Sequence, residues 1–256
     1  MNPGSPTRRA ALALTVLDLA ISVVVIGSYR AGWLGESGVA DRWLLGFVNS
    51  NLALLAAVAF LAAAAGARGP SAPGSVPSRR LLLLTVGVIA LSELGLGLCE
   101  LTPSLGDRPI RMIGAVQILA RMAAVGFAVS LARAQPSGRG LRRLVATMVG
   151  SVGIGFMAWQ AIPSTGAMGD LLRTSLILCD AVAAIAVVAA LSGWLGERVG
   201  PRELLVLLGL GLYLFADLAY YRQEAVAVGL FFGELGYFGG LLAVAWGAAP
   251  DWERRR

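Results

Sequence analysis

The sequence predicts an all-α fold, a polytopic membrane bundle of about eight transmembrane helices. Apolar residues make up 57% of the 256 residues and charged residues only 14%, whereas soluble domains carry about 25% charge. Eight apolar stretches have about the 20-residue length that a helix needs to cross a bilayer. Gly is abundant at 33 residues, which suits helices that pack closely within a membrane.

The predicted spans follow one another along the chain with short connections. They cover residues 10–28, 44–66, 81–99, 112–132, 144–162, 171–194, 204–221 and 225–247. Pro- and Gly-rich segments at 69–74, 102–107 and 136–138 indicate loops. The first span is interpreted as a transmembrane helix, because its apolar core is long for a signal peptide and no A-x-A site follows it. We interpret residues 1–256 as a single integral membrane domain.

The distribution of Arg predicts the orientation. With the N-terminus inside, the inner segments hold fourteen Arg and the outer loops hold six, while Arg121 falls within a span. Cytoplasmic loops carry the excess of basic residues in membrane proteins. We therefore expect a multi-pass protein of the cell membrane with both termini in the cytoplasm. Because the basic residues lie at helix ends, the net charge of +6 is not interpreted as nucleic-acid binding.

The chain is also predicted to contain two parallel four-helix repeats, residues 1–136 and 137–250. The segment that begins at Asn51 parallels the one that begins at Asp180, and residues 79–93 parallel 203–217. Since each half holds an even number of helices, the halves would share one orientation, related by an axis along the membrane normal.

Several polar residues fall within the predicted spans, where a charge is costly and usually faces the bundle interior. At about 1.5 Å of rise per residue, most of them share one level in the outer half of the membrane. We predict a ligand or ion pocket there. Its primary candidates are Asn51, Glu93, Arg121, Asp180, Asp217 and Glu234, and its secondary candidates are Gln117, Tyr220 and Tyr237.

Two other interpretations of these polar residues stay open. In the first, the polar residues form hydrogen bonds and one ion pair that hold the helices together. In the second, some of these residues lie in loops because the span boundaries are misplaced. Arg121 is the one cation at this level, and among Glu93, Asp217 and Glu234 we favour Glu234 as its partner, since the repeat places these two at equivalent heights.

The residue types that are missing exclude several kinds of chemistry. All 21 basic residues are Arg, so a retinal Schiff base to Lys is excluded, and so are a His-ligated haem and a Ser-His triad. Cys99 and Cys179 by themselves cannot complete a four-ligand zinc site. No Gly-rich phosphate loop ending in Lys occurs. We expect no enzyme activity, no cofactor and no metal.

The last two predicted helices carry a resemblance. Residues 211–220 read GLYLFADLAY, and residues 233–250 read GELGYFGGLLAVAWGAAP. An Ala-Asp-x-x-Tyr helix, followed by one with an aromatic residue and Gly near its start and an Ala-rich end before Pro250, resembles the membrane sensory region that precedes GGDEF diguanylate cyclase domains in high-GC Gram-positive bacteria. The resemblance is clearest over 171–250. The 256 residues contain no GGDEF sequence, so cyclase activity is not implied.

The resemblance implies a membrane sensory or signal-input module without catalytic activity of its own. Its expected partners are the lipid bilayer and either a cytoplasmic signalling protein or a second copy of the chain, with no nucleic acid. The alternative is a small-molecule or ion transporter built from two four-helix repeats. A structural protein that scaffolds partners is a third hypothesis.

Overall fold

Seven α-helices make up most of what the computed structural model describes. The described residues are 38–66, 76–102, 104, 107–133, 140–161, 168–193, 201–222 and 227–249, with eight scattered helical positions between 13 and 28. The helices are α1 (Gly38–Gly66), α2 (Val76–Leu101), α3 (Asp107–Arg133), α4 (Gly140–Ala161), α5 (Met168–Gly193), α6 (Pro201–Arg222) and α7 (Ala227–Ala248). No strand occurs in these ranges, and the all-α class is confirmed.

Each of these helices corresponds to one predicted span, from the second to the eighth. Helices α1 and α2 begin five or six residues earlier than predicted, at Gly38 and Val76, because the polar residues of their first turns continue the helix beyond the apolar stretch. The first predicted span, 10–28, lies mostly outside the described residues.

Among the described helices, four are long and apolar enough to cross a membrane, judged by length and composition. Their apolar segments are Gly46–Gly66, Ser78–Leu101, Pro109–Ala132 and Leu171–Ser192. Large apolar side chains also face outward from the bundle, with Leu91 70% and Val152 74% exposed. Such outward apolar surface is unfavourable in water and favourable in hydrocarbon. The described part of the chain therefore has four candidate membrane-spanning helices, which is typical of a membrane protein.

Six helices pack in a closed ring. Its order is α1, α2, α3, α5, α6, α7 and back to α1, while α4 packs on the outside against α5 and α6. Apolar side chains such as Phe127, Ile177 and Leu210 are buried where these helices meet. The internal repeat itself stays a prediction.

Glycines let α6 and α7 approach until their backbones touch. A Cβ atom on Gly209 would lie 2.5 Å from the carbonyl oxygen of Gly240, and one on Gly240 would lie 2.6 Å from that of Gly209. Gly236 and Gly247 also face α6, since a Cβ atom on either would lie within 3 Å of an α6 atom. Small residues permit this kind of close helix contact in membranes. We call this contact the glycine seam, formed by Gly209, Gly236, Gly240 and Gly247.

Arg202, buried in the first turn of α6, binds the C-terminal end of α7. Its Nε donates to the Gly247 carbonyl at 3.2 Å, and its Nη2 donates to those of Ala248 at 3.2 Å and Ala249 at 2.5 Å. The last carbonyls of a helix lack partners within it and attract cations. Helix α1 ends beside them, because a Cβ atom on Gly66 would overlap the Ala248 carbonyl oxygen. The ends of α1 and α7 thus meet the start of α6.

Candidate functional site

A buried arginine lies in the middle of α3 and binds two carboxylates. Arg121 Nε donates to Asp180 Oδ1 on α5 at 2.7 Å, and Nη2 donates to Asp217 Oδ2 on α6 at 2.6 Å. Its Nη1 donates to the carbonyl of Gln117, one turn earlier on α3, at 3.2 Å. Arg121 is 2% exposed and Asp180 is 0% exposed. The guanidinium therefore joins three helices of the ring in a buried site.

Two tyrosine hydroxyl groups extend these contacts to α2 and α7. Tyr237 on α7 donates its hydroxyl to Asp217 Oδ1 at 2.6 Å, and Tyr213 on α6 donates to Glu93 Oε1 on α2 at 2.9 Å. The two phenol rings pack edge to face, with centroids 5.1 Å apart and planes at 65°. Such aromatic pairs are favourable beyond the area that they bury. We call Glu93, Arg121, Asp180, Tyr213, Asp217 and Tyr237 the Arg121 network.

Two ion pairs at one buried guanidinium make the network sensitive to loss of any member. A buried charge is tolerated only when it is paired and hydrogen-bonded, and removal of one partner typically costs about 3–5 kcal/mol. The network reaches α2, α3, α5, α6 and α7, so five of the six ring helices are held by its charged and phenolic groups. Chemically, it can bind or release a small polar species only by rearranging these bonds.

The site has room for one small molecule at most beside Arg121. A void of about 10 Å³ borders Arg121, Thr85 and Tyr213, which is about the space that a single water occupies. Within the described ranges, no group of three or more His, Cys, Asp or Glu is placed to hold a metal ion. A water or a proton fits this geometry, and a solute of many atoms would require the helices to move.

Likeness to known proteins does not contribute to the interpretation of this site. No protein-family model, curated protein or solved structure matches the chain. The network's own bonds and burial therefore carry the functional argument.

The structure brings most of the sequence-predicted residues together. The candidates within the network are Glu93, Arg121, Asp180, Asp217 and Tyr237. Gln117 contributes its backbone carbonyl. Asn51 lies on α1, where its Nδ2 is buried without a hydrogen-bond partner among the described residues. Glu234 and Tyr220 lie in α7 and α6, and their side chains are outside the described part of the chain.

The described ion pairs of Arg121 go to Asp180 and Asp217. Asp217 was among the three candidate partners, whereas Asp180 was not. The side chain of the favoured partner, Glu234, lies outside the described residues, so that pairing stays a prediction. Helix α3 packs directly against α5, and this contact brings Asp180 to Arg121.

Tyr213 is the network residue that the sequence analysis missed. It lies four residues before Asp217 on α6, and residues four apart share one face of a helix. That spacing from a buried carboxylate was the signal available in the sequence.

Tyr213→Phe is expected to lower stability while the ring contact with Tyr237 remains. The change removes the hydroxyl that donates to Glu93, and a buried acceptor left without its donor costs about 1–3 kcal/mol. Thermal unfolding in detergent micelles measures the effect. Ser175→Ala is the control, because it removes an exposed hydroxyl bonded only within its own helix. Equal unfolding temperatures for the two variants would show that the Tyr213–Glu93 bond does not stabilise the fold.

Proposed function

We propose that this chain is a membrane sensory or signal-input module without catalytic activity of its own. The Arg121 network is the observation that carries the proposal. A buried polar network has few acceptable arrangements, because each broken bond leaves an unsatisfied polar group. A change at one residue of the network then moves several helices. Switching proteins use such discrete repacking of helices.

The path of the signal follows α7 from the network to its C-terminal end. Tyr237 binds Asp217 near the middle of α7, and about three turns later the helix ends at the carbonyls that Arg202 binds. The glycine seam couples α6 and α7 as one rigid pair over this length. A shift at Asp217 thus reaches the end of α7, beside the end of α1.

The chain is proposed to lie in the cell membrane as eight helices in two parallel four-helix halves, with both termini in the cytoplasm. The four candidate spans, the outward apolar side chains and the Arg excess of fourteen to six support this arrangement. We expect reporter fusions after residues 75, 138, 200 and 256 to behave as cytoplasmic, and fusions after 36, 105 and 167 as external. An external signal at residue 138 would contradict the arrangement.

A fusion experiment tests the sensory role. A diguanylate cyclase domain joined after residue 256 makes cyclic di-GMP the readout of the membrane module. Asp217→Asn keeps the size of the side chain but removes a negative charge that Arg121 binds, so we expect cyclase output to change several-fold. Arg111→Gln, an exposed change on α3, is the control and should leave the output unchanged. Equal cyclase output from the unaltered, Asp217→Asn and Arg111→Gln fusions at equal membrane abundance would refute a sensory role.

An ion transporter built from two four-helix repeats is the second candidate function. The observation that favours it is the excess of carboxyl groups over guanidinium in the network, three against one, since intramembrane acids often bind the ions that transporters move. Flux of protons or sodium ions into proteoliposomes, abolished by Asp217→Asn, would favour transport over sensing.

A further inference from the structure

Arg121 presents one edge of its guanidinium to two different carboxyl groups. The Nε–H and Nη2–H groups on that edge usually donate to both oxygens of a single carboxylate. Here Nε binds Asp180 Oδ1 at 2.7 Å and Nη2 binds Asp217 Oδ2 at 2.6 Å. Arg121 therefore holds the Asp180 and Asp217 carboxyl groups beside each other, where the charge of one acts on the other. Two ionised carboxylates in this position both accept and neither donates, so they repel unless one holds a proton.

The second oxygen of Asp180 is a separate observation. Asp180 Oδ2 is buried and has no hydrogen-bond partner among the described residues. The second oxygen of Asp217, by contrast, accepts the Tyr237 hydroxyl at 2.6 Å. An ionised oxygen without a donor is costly when buried, so Asp180 is the less favourable of the two places for a negative charge. Its Oδ2 is the oxygen that is free to carry a proton.

The surrounding groups leave the network negatively charged when all its acids are ionised. One guanidinium then faces three carboxylates, a formal charge of −2 for the described network. The ionisable groups that face the pair are Glu93 on α2, Arg121 on α3, Cys179 on α5, Tyr213 on α6 and Tyr237 on α7. The described side chains of α1 (46–66) and α4 (145–155) contain no ionisable group, and the side chain of Glu234 is not described.

We propose that the Asp180–Asp217 pair is a proton-binding site, in which Asp180 carries the proton and Asp217 stays ionised on Arg121 and Tyr237. The bound proton removes one negative charge from the shared edge of Arg121. Its release places a second carboxylate there, which weakens the contact between α5 and α6 through like-charge repulsion. The proton site deepens the proposed function, because it names the proton as the ligand of the same network. It rests on the proposed function in this respect only.

Infrared difference spectroscopy on the full chain in lipid nanodiscs detects the proton itself. A protonated carboxyl group has a C=O stretching band that a carboxylate lacks, and the band shifts in deuterium oxide. We expect the unaltered chain to show this band at neutral pH and to lose it as the pH rises. Asp180→Asn, which is neutral like the protonated acid and therefore compatible with the fold, should lack the band. Glu93→Gln should keep it.

Several outcomes would overturn the proton site. A band that survives in Asp180→Asn and disappears in Glu93→Gln would assign the proton to Glu93. A band that appears in the unaltered chain only after sodium is withdrawn would assign the site to a metal cation. Were Asp180→Asn unable to fold, Asp217→Asn should still shift the band by removing the neighbouring charge, and an unshifted band would refute the pairing. Infrared spectroscopy detects the proton and does not measure cyclase output. A normal band, together with a cyclase fusion whose output does not respond, would therefore refute only the sensory role.

Discussion

Arg121→Ala is expected to destabilise the folded chain by about 3–5 kcal/mol, the usual cost of leaving a buried charge without its partner. Asp180 and Asp217 both lose the donor that binds them at 2.7 and 2.6 Å. Asp217 would then hold a buried negative charge without its cation, beside an Asp180 carboxyl group that has also lost its donor. Thermal or denaturant unfolding in detergent micelles measures the loss, and Arg111→Ala, exposed on the same helix, should change stability by less than about 0.5 kcal/mol.

A combined variant separates lost charge pairing from lost packing. Arg121→Ala together with Asp180→Asn and Asp217→Asn replaces all three ionisable residues of the two bonded pairs with uncharged ones and keeps the size of the two acidic side chains. Residues in one network are coupled, so the three changes should not add. We expect the combined variant to recover much of the stability that Arg121→Ala loses. A combined variant no more stable than Arg121→Ala would show that the arginine acts by packing alone.

Gly240→Ala is expected to lower the free energy of unfolding by roughly 1–3 kcal/mol or more, because overpacking at a close contact forces the neighbouring helices apart. The new Cβ atom would lie 2.6 Å from the Gly209 carbonyl oxygen and 2.9 Å from the Tyr213 backbone nitrogen. Both are backbone atoms, so no side-chain rotation relieves the contact and α6 must move away from α7. That movement also separates the two helices that bring Tyr213 and Tyr237 together.

Gly239→Ala is the matched control for the glycine seam. It lies next to Gly240 on the same helix, yet a Cβ atom there would meet no atom of the described neighbours within 4 Å. Both substitutions raise helix propensity equally, so the difference between their unfolding temperatures reports the α6–α7 contact. Gly209→Ala should resemble Gly240→Ala, and the double variant should lose less than the sum, since both changes open one contact. Equal stability of Gly239→Ala and Gly240→Ala would refute the close approach.

The positions of the helices were largely predictable from the sequence. A span of about 20 apolar residues and the loops on either side are local properties of the chain, and α1 to α7 lie over the second to eighth predicted spans. Depth was predictable for the same reason, because helical rise per residue is constant. It placed Glu93, Arg121, Asp180 and Asp217 at one level before any contact was known.

The glycine seam shows where such local reasoning ends. The sequence contains 33 Gly residues, and small residues four apart are too common in it to identify a contact. A Cβ atom on Gly240 would meet the backbone of α6, while one on Gly239 would meet no described neighbour within 4 Å. The difference of one residue rotates the position by about 100° around the helix axis. Which side of α7 meets α6 depends on packing over the whole ring.

The sequence by itself determined the all-α class, the approximate helix ends and the common depth of the buried polar residues. Only the tertiary structure decided that Arg121 binds Asp180 and Asp217, and that Tyr213 and Tyr237 join Glu93 and Asp217 to the same network. Helix length and depth follow from neighbouring residues along the chain. A salt bridge between residues 59 or 96 positions apart depends instead on which helices are neighbours and on how each one is rotated about its own axis.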